Sequence, residues 1–547
     1  MPASSLRRLA GLVIALALPA GASGIELRDE FRAAIEQGIA NGRYQSVAVG
    51  LLDGGEQSQW LFGAVEPGGA KPTADTVYEI GSTTRCFTGL LLAQAVYAGK
   101  LRLDDTLGRI FSDVRFADPK LAATTLGEIA AHRAGLPAIA SNLYPRSVDD
   151  PYVTFDAAAL NAYLAHAHVE GAGTYRYSEL GVALLGDAVA RVYRKDYRSL
   201  MASEVLAPLA LGGSGFGNVP HLVDGYRDGK PMPHWQHQAF APASGLRASL
   251  SDLMRFAAAA LRPDKTTLRA AILLARQPRA AAGGGETALA WQIVPVESDG
   301  QTWPLLWQAG ITGGFASFVG LRTDKQRAVV LLGNAGVDLS ALGLTLMADR
   351  SAPAPPPKLL PLVAPASLAY PGLYRFDTGG DLLVRATDDG LSMQIGGYLP
   401  QPMSAYDDDA FEIAGAAGQL TFERQDSNVV GAILHRSGTN LHAARLSDGA
   451  PALKRNTTPL DAKALAAYAG DYALSSSMRA HVVVATPGLR AQLTGTAATF
   501  LQSCARDRFC DADGTLEIGF TREKGGKASA LDWRQGVFEA RATRDDW

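Results

Sequence analysis

The sequence is poor in cysteine and has no clustered histidines, the residues that hold most structural zinc ions. Three of the 547 residues are Cys, with no Cys-x-x-Cys pair, and the nine His are scattered. His234 and His237 lie in a loop-like segment and are expected at the surface. Lys and Arg total 51 against 54 Asp and Glu, without a long run of one sign. We therefore expect neither a metal centre nor a nucleic-acid partner.

Long apolar runs are also missing. The run at residues 9–18 has about ten residues, half of the roughly 20 that a membrane-spanning helix needs. It follows the basic pair Arg7 and Arg8 and precedes small residues at 20–22, an order typical of an export signal, with a membrane anchor as the alternative. We expect a signal peptide at residues 1–22 and a periplasmic or secreted mature protein without a membrane span.

The three cysteines allow two interpretations in an exported chain. Cys504 and Cys510 are close enough in sequence to form a disulfide across a local turn, and two free buried thiols are the alternative. We favour the disulfide, which leaves Cys86 unpaired.

Proline is concentrated at residues 351–365, which hold six. Such a segment neither continues a helix nor pairs in a central strand, so we interpret it as a linker. The composition, 47% hydrophobic and 19% charged, is typical of a globular protein, and the length indicates several domains. The segments expected are a signal peptide at 1–22, a first domain at 25–350, the linker at 351–365, and two further domains at 366–447 and 460–547.

The region after the linker repeats itself with an offset of 98 residues. Tyr370 and Tyr374, with a glycine between them, return as Tyr468 and Tyr472. Short alternating runs separated by glycine-rich turns indicate antiparallel strands in each repeat, arranged as a barrel or a sandwich. We predict two similar all-β, barrel-like domains in tandem.

The first domain mixes helical and strand periods. A predicted hairpin turns at residues 53–55, and three closely spaced strands precede a helix near the domain's end. Strands from both ends can form one antiparallel sheet, with the helical region at residues 82–280 packed beside it. The fold class expected is α+β. The predicted strands are at residues 47–52, 57–62, 303–309, 314–321 and 327–334, and the late helix is at 338–349.

Ser82 stands where a short strand ends and a helix opens. At this position free backbone N–H groups and the helix dipole can stabilise an alkoxide or an oxyanion. On its own, a serine at this position is more often a helix N-cap.

The segment Ser82-Thr-Thr-Arg85 resembles the Ser-x-x-Lys motif of the penicillin-recognising, β-lactamase-like serine hydrolases. Similar motifs follow in that family's order, over about residues 26–350. The first domain is closest to class C β-lactamases, and the three-domain layout resembles that of the family's D-aminopeptidases and esterases. The further motifs are His132-Arg-Ala-Gly-Leu-Pro137, Tyr177-Ser-Glu179, Leu206-Ala-Pro-Leu209 and Trp307-Gln-Ala-Gly310.

The resemblance implies a β-lactamase/transpeptidase-like fold and an acyl-enzyme at Ser82, without a cofactor. Tyr177 would exchange the serine proton, and the backbone N–H groups of Ser82 and Ile311 would hold the oxyanion. The strand residues expected to bind substrate are Gln308, Ala309 and Gly310.

Three polar positions depart from the family pattern. Arg85 stands where the family has Lys, and it supplies fixed positive charge because it cannot accept a proton. Glu179 stands where the family has Asn, either as a replacement base or as the ion-pair partner of Arg85 in a structural clamp. Gln308 replaces a Lys or His, which favours uncharged acyl groups over carboxylates.

The function expected from these residues is that of an exported serine hydrolase. It would cleave a small ester or a peptide amide through Ser82, with Tyr177, Arg85 and Glu179 as its catalytic residues. The alternative is a catalytically degenerate pseudoenzyme that binds a peptide-like ligand or a protein partner.

Overall fold

The structure is a computed structural model, and its placed residues begin at residue 25. The expected signal peptide and residues 361–365 of the linker lie outside the described part, while residues 351–360 form neither helix nor strand. Within that part, no helix is long and apolar enough to cross a bilayer. The described residues are 25–147, 149–282, 285–298, 300–360, 369–377, 381–387, 390–395, 401–413, 418–436, 439–446, 460–496, 498–511, 516–522, 526–535 and 538–545.

The N-terminal region is built on an antiparallel sheet. Its strands, in chain order, are β1 (Ser46–Asp53), β2 (Glu56–Gly63), β3 (Val77–Glu79), β4 (Gly225–Arg227), β5 (Lys230–Met232), β6 (Arg247–Ser249), β7 (Ala280–Ala282), β8 (Gly285–Thr287), β9 (Gln292–Ser298), β10 (Gln301–Ile311), β11 (Ala316–Arg322) and β12 (Arg327–Gly333). Eight of them form one sheet in the order β2-β1-β12-β11-β10-β9-β8-β7, so the predicted pairing of strands from both ends of the domain is confirmed. β3 pairs with β6, and β4 pairs with β5.

Helices cover both faces of this sheet. They are α1 (Asp29–Ala40), α2 (Thr84–Tyr97), α3 (Leu107–Ile110), α4 (Pro119–Ala123), α5 (Leu126–Ala130), α6 (Ala157–His166), α7 (Glu179–Tyr193), α8 (Tyr197–Met201), α9 (Ala241–Ser244), α10 (Leu250–Leu261), α11 (Arg269–Ala275) and α12 (Ser340–Met347). The long helices α2, α7 and α10 belong to the helical region expected beside the sheet.

Strand β1 shows how the layers stack. Val47 and Val49 pack in one apolar cluster with Phe31 of α1, while Ala48 and Leu52 join the core that contains α2, α7 and α10. Successive side chains of a strand point to opposite faces, and residues 47–52 of β1 are apolar because both faces are covered. The sheet is therefore the middle of three layers.

The C-terminal region consists of two closed barrels of eight antiparallel strands each. The first contains β13 (Gly372–Phe376), β14 (Asp381–Thr387), β15 (Gly390–Ile395), β16 (Gln401–Asp407), β17 (Ala410–Ile413), β18 (Gln419–Gln425), β19 (Asn428–Arg436) and β20 (Thr439–Arg445). The second, preceded by α13 (Ala462–Leu465), contains β21 (Gly470–Ser475), β22 (Met478–Ala485), β23 (Gly488–Leu493), β24 (Thr499–Ala505), β25 (Arg508–Cys510), β26 (Leu516–Arg522), β27 (Ala528–Gln535) and β28 (Phe538–Arg544).

The two barrels repeat each other in detail. In each, strands follow in chain order and the last pairs with the first. The Tyr374 hydroxyl donates to the Tyr370 carbonyl at 2.6 Å, and the Tyr472 hydroxyl donates to the Tyr468 carbonyl at 2.6 Å. The offset seen in the sequence thus reflects a repeated barrel, and the sandwich alternative is excluded.

The disulfide favoured from the sequence is confirmed. Cys504 on β24 and Cys510 on β25 form a disulfide, with Cα atoms 5.8 Å apart. Cys86 is a free, buried thiol on α2.

Candidate active site

Ser82 lies in a single 3₁₀ turn, Gly81–Thr83, between β3 and α2. The end of β10 packs directly on this turn: a Cβ added to Gly310 would lie 2.6 Å from the Ser82 nitrogen. Gly81 has φ +47°, and a Cβ there would lie 2.8 Å from the Ile311 nitrogen. Only glycine allows so close an approach. The backbone amides of Ser82 and Ile311, expected to hold an oxyanion, therefore belong to two segments in direct contact.

Arg85 lies one turn along α2 from Ser82 and is fully buried. Its Nη2 donates to Ser82 Oγ at 2.8 Å and lies 3.1 Å from Oε1 of Glu179. The ion pair predicted from the sequence is confirmed. Burial lowers the pKa of the Arg85 guanidinium, and the Glu179 carboxylate opposes that shift. Arginine nevertheless keeps its charge in proteins, so Arg85 can stabilise a serine alkoxide but cannot accept its proton.

Tyr177 packs beside this guanidinium. The Arg85 guanidinium carbon lies 4.5 Å from the centroid of the Tyr177 ring, a cation–π contact. The predicted catalytic residues Ser82, Arg85, Tyr177 and Glu179 therefore occur together, with Arg85 touching the other three.

Glu179 is the first residue of α7. Ser178 caps the helix: its hydroxyl accepts from the Gly181 N–H at 2.9 Å and donates to the Pro137 carbonyl at 2.5 Å. One Glu179 oxygen faces Arg85, and the other accepts a hydrogen bond from the Tyr152 hydroxyl at 2.6 Å. Both oxygens of the carboxylate are thus engaged.

Tyr152 is the site residue that sequence reasoning missed. Burial, and then the nearby Glu179 carboxylate, raise the pKa of Tyr152 well above its ordinary value, so its phenol stays neutral and donates. Its ring packs 4.5 Å from that of Phe240. Tyr152 lies in a loop without a recognisable motif, so no sequence signal pointed to it.

Strand β10, which is expected to bind substrate, places the neutral amide of Gln308 against the turn that carries Ser82. Nε2 of Gln308 lies 3.5 Å from the Ser82 carbonyl oxygen, and its Oε1 accepts from Nε2 of Gln292 at 3.1 Å. The Ala309 side chain packs instead with the apolar cluster around α1 and α12. Of the three expected strand residues, Gln308 and Gly310 face Ser82, and Ala309 faces away because side chains alternate along a strand.

His132 supports the turn before α7. Its backbone is left-handed, with φ +56°, and its Nδ1 accepts from the Ser178 N–H at 3.2 Å. Burial, assisted by the charge of Arg85, lowers the pKa of His132 to about 3. The imidazole is therefore neutral and a very weak base, which makes it a structural element of the site.

The expectation of a surface position was wrong for His237, whereas His234 is half-buried, with 26% of its side chain exposed. His237 is 5% exposed, and burial lowers its pKa to about 4. Nδ1 of His234 lies 3.1 Å from Oε1 of the buried Glu79, which also accepts from Nη2 of Arg247 at 2.9 Å. The loop folds inward because it covers this buried carboxylate. Across the described ranges, no group of three or more His, Cys, Asp or Glu side chains could hold a metal ion.

Comparisons with known proteins match the N-terminal region of the chain. The family model described as "Beta-lactamase" matches residues 31–352, more than half of the chain. The beta-lactamase of Escherichia coli K12 is 23% identical over 363 residues, covering 60% of this chain and 93% of that protein. Penicillin-binding protein 4 of Amycolatopsis lactamdurans is 26% identical over 320 residues, covering 54% of this chain and 81% of that protein.

A solved structure shares the fold of the N-terminal region. It is that of a class C beta lactamase from Rhodobacter sphaeroides, with a TM-score of 0.51 and 21% sequence identity. The superposition covers 56% of this chain and 94% of that one. The two C-terminal barrels follow the region that the family model matches.

Glu179→Gln should destabilise the fold strongly. The change leaves the Arg85 guanidinium, whose side chain is 1% exposed, without a neutralising charge. Breaking one side of a buried pair costs about 3–5 kcal/mol, and we expect about 3 because Glu179 is 22% exposed. Urea unfolding at pH 7 measures the loss, with Glu36→Gln on the exposed face of α1 as the control. The double variant Arg85→Lys/Glu179→Asn should recover most of the stability, and a Glu179→Gln protein as stable as the natural one would refute the argument.

The folded protein should become less stable as the pH is lowered, because His132 resists protonation while it is buried. The pKa of His132 is about 3 in the folded protein against 6.5 in the unfolded chain, so between these values only the unfolded state binds this proton. The free energy of unfolding therefore decreases as pH falls below 6.5, by about 1.4 kcal/mol per pH unit for one proton. His132→Asn keeps an acceptor and tolerates a left-handed backbone. Urea unfolding between pH 7 and 4.5 gives the slope of the unfolding free energy against pH. This slope should be smaller by one proton in the variant, and equal slopes in the two proteins would contradict the role of His132.

Proposed function

Because the chain belongs to the beta-lactamase family, we propose that it is a serine hydrolase that forms an acyl-enzyme at Ser82. One observation carries the proposal: the serine hydroxyl accepts a hydrogen bond from the buried Arg85 cation at 2.8 Å. A fixed cation at this distance stabilises the alkoxide that attacks a carbonyl. The contact of β10 with the serine turn supports Ser82 and Ile311 as the amides that receive the oxyanion.

Tyr177 is the base in this proposal. Nη2 of Arg85 bonds Ser82 Oγ and Glu179 Oε1 at once, so the cation lies between the serine and the carboxylate. Glu179 would have to displace that nitrogen to take the serine proton. The ring of Tyr177 packs against the same guanidinium, with its centroid 4.5 Å from the guanidinium carbon. A nearby cation in general favours the ionised form of a phenol, the form that can take a proton. Glu179 and Tyr152 then orient Arg85.

The reaction proceeds in two halves. Ser82 Oγ bonds to the carbonyl carbon while its proton passes to Tyr177, and the carbonyl oxygen becomes the oxyanion. The carbon–leaving group bond then breaks, and the leaving group takes the proton from Tyr177. Water repeats the sequence on the acyl-enzyme and releases the acid and free Ser82.

The substrate proposed is a small ester or peptide amide with an uncharged acyl group. Gln308 stands where the family motif that this strand resembles has Lys or His, and its amide is buried against Ser82. A neutral amide donates a hydrogen bond to a carbonyl but offers no charge to a carboxylate. Substrates that depend on a carboxylate contact at this strand should bind weakly.

Binding without turnover is the second candidate function. It is favoured by the engagement of both Glu179 oxygens, which makes this carboxylate unavailable as a base for the serine proton. In this alternative the Arg85–Glu179 pair is a structural clamp, and the site around Ser82 binds a peptide-like ligand or a protein partner. The variant Arg85→Lys/Glu179→Asn discriminates the two, because gain of an activity that the natural chain lacks would show that these residues silenced the site.

We also propose that the protein is exported to the periplasm or secreted. The order of basic, apolar and small residues at 1–22 and the Cys504–Cys510 disulfide support this. The exported protein should begin near Ser23 on N-terminal sequencing. Alkylation after unfolding should label one thiol, Cys86, without reductant and three with it. An intact N-terminus together with three thiols in the unreduced protein would overturn the proposal.

Ser82 should react with an alkyl fluorophosphonate. Intact-mass measurement should show one adduct on the natural chain, none on Ser82→Ala, and one on the control Ser203→Ala, which changes an exposed serine. Hydrolysis of p-nitrophenyl esters, lost in Ser82→Ala and slowed about 100-fold or more in Tyr177→Phe, supports the hydrolase. An adduct without ester turnover supports binding alone, and absence of any adduct refutes Ser82 as a nucleophile.

A further inference from the structure

One loop connects the candidate active site to the second barrel. Its first part, residues 138–144, is called here the bridging segment. At the site end, the Ala138 carbonyl accepts hydrogen bonds from the N–H groups of Glu179 at 2.9 Å and Leu180 at 3.1 Å. This carbonyl therefore fixes the backbone from which the Glu179 side chain extends.

The other end of the bridging segment is bound by the second barrel. Oγ1 of Thr494 donates to the Ser141 carbonyl at 2.5 Å, and the Gly495 N–H donates to the Leu143 carbonyl at 2.8 Å. Ser141 and Leu143 are both almost fully buried. These are interior hydrogen bonds, where an unmade bond costs more than it would at a surface.

Aromatic contacts extend the same interface. The ring of Tyr144 stacks on His481 of β22, with centroids 4.8 Å apart and planes inclined by 23°. Nδ1 of His481 lies 2.8 Å from Oδ1 of Asp471 on β21, so the barrel orients the imidazole that Tyr144 covers.

The turn of the second barrel that contacts the bridging segment is held in place by bonds within the barrel. Thr494 is fully buried, and its Oγ1 accepts from the Arg479 N–H on β22 at 2.9 Å while it donates to Ser141. Gly495 has φ +76°, the left-handed region in which glycine is favoured. The turn after β23 is thereby shaped to present one hydroxyl and one N–H to the bridging segment.

The same loop meets Glu179 a second time. Beyond the bridging segment it reaches Tyr152, whose hydroxyl donates to Oε2 of Glu179 at 2.6 Å. Ala138 thus holds the backbone of Glu179 and Tyr152 holds its carboxylate, while the barrel holds the chain between them. The hydrolase domain also steadies the segment, since Nδ2 of Asn142 donates to the Ala159 carbonyl of α6 at 2.9 Å.

We propose that the second barrel is a positioning element of the active site, with Thr494 as its principal residue. By holding the bridging segment, Thr494 sets the backbone of Glu179, and Glu179 sets the Arg85 guanidinium at Ser82. The catalytic part of this inference rests on the proposed function, whereas the mechanical part does not. The site is accordingly built by two domains, and the first domain without the second barrel should have a displaced Glu179.

The test is hydrogen exchange at the amides of Glu179 and Leu180 in the full-length protein. Thr494→Val removes the hydroxyl at nearly constant volume and should speed exchange about threefold to tenfold, as expected for one lost hydrogen bond. Thr494→Ser should restore the natural rate. The matched control is Thr496→Val, because the Thr496 hydroxyl bonds the Leu493 backbone inside the same turn and should leave these two amides unchanged.

A second variant, changed outside the barrel, distinguishes loss of the contact from local unfolding of the barrel. Tyr144→Leu removes the ring that stacks on His481 from the hydrolase side and should speed exchange at Glu179 and Leu180 in the same way. In parallel, fluorophosphonate labelling of Ser82 should slow by a similar factor in Thr494→Val and recover in Thr494→Ser.

The outcomes separate the two proposals. Faster exchange at both amides in Thr494→Val and Tyr144→Leu, with rescue by Thr494→Ser, supports the positioning role. Exchange that rises only in barrel peptides, or natural rates at both amides, overturns it. A natural protein that is never labelled at Ser82 refutes the proposed function, and the exchange measurement still decides whether the barrel positions Glu179.

Discussion

The buried guanidinium of Arg85 is the constraint to which the rest of the site conforms. A charge removed from water is tolerated only where opposite charge and hydrogen bonds replace its hydration. Glu179 supplies the charge, Ser82 accepts a hydrogen bond, and the face of Tyr177 covers the guanidinium carbon. The identities of these residues are therefore linked. Arginine in place of the family's Lys, beside the family's neutral Asn, would be a larger cation without a neutralising charge.

The Glu179 carboxylate that pairs with Arg85 is itself held by its surroundings. Glu179 opens α7, and the positive end of a helix dipole favours a carboxylate there. Its second oxygen takes a hydrogen bond from Tyr152, which burial keeps neutral. The carboxylate that neutralises Arg85 is in this way stabilised by a helix N-terminus and by a hydrogen bond from a loop that also contacts the second barrel. The second barrel contacts this loop through the hydrogen bond from Thr494 to Ser141, and so belongs to the network that holds the carboxylate.

Close packing of backbone supplies the remaining part of the site. Gly81 and Gly310 let the serine turn and β10 approach without side chains between them. The sheet that provides β10 is buried on both faces, so this strand has little freedom to move away. A rigid three-layer domain thus holds the proposed oxyanion amides, while Arg85, Glu179 and Gln308 supply the polar groups around Ser82.

Features that depend on a local pattern or on an ordered set of motifs could be predicted from the sequence. Alternation and turns predicted the hairpin and late strands of the sheet, the repeat predicted the twin barrels, and the joint departure at Arg85 and Glu179 predicted their ion pair. Tertiary structure decided what depends on surfaces brought together from distant segments. Tyr152 at Glu179, the inward position of His237 and the contact of Thr494 with Ser141 arise from loops, whose conformation is set by the bodies they contact and not by a periodic signal.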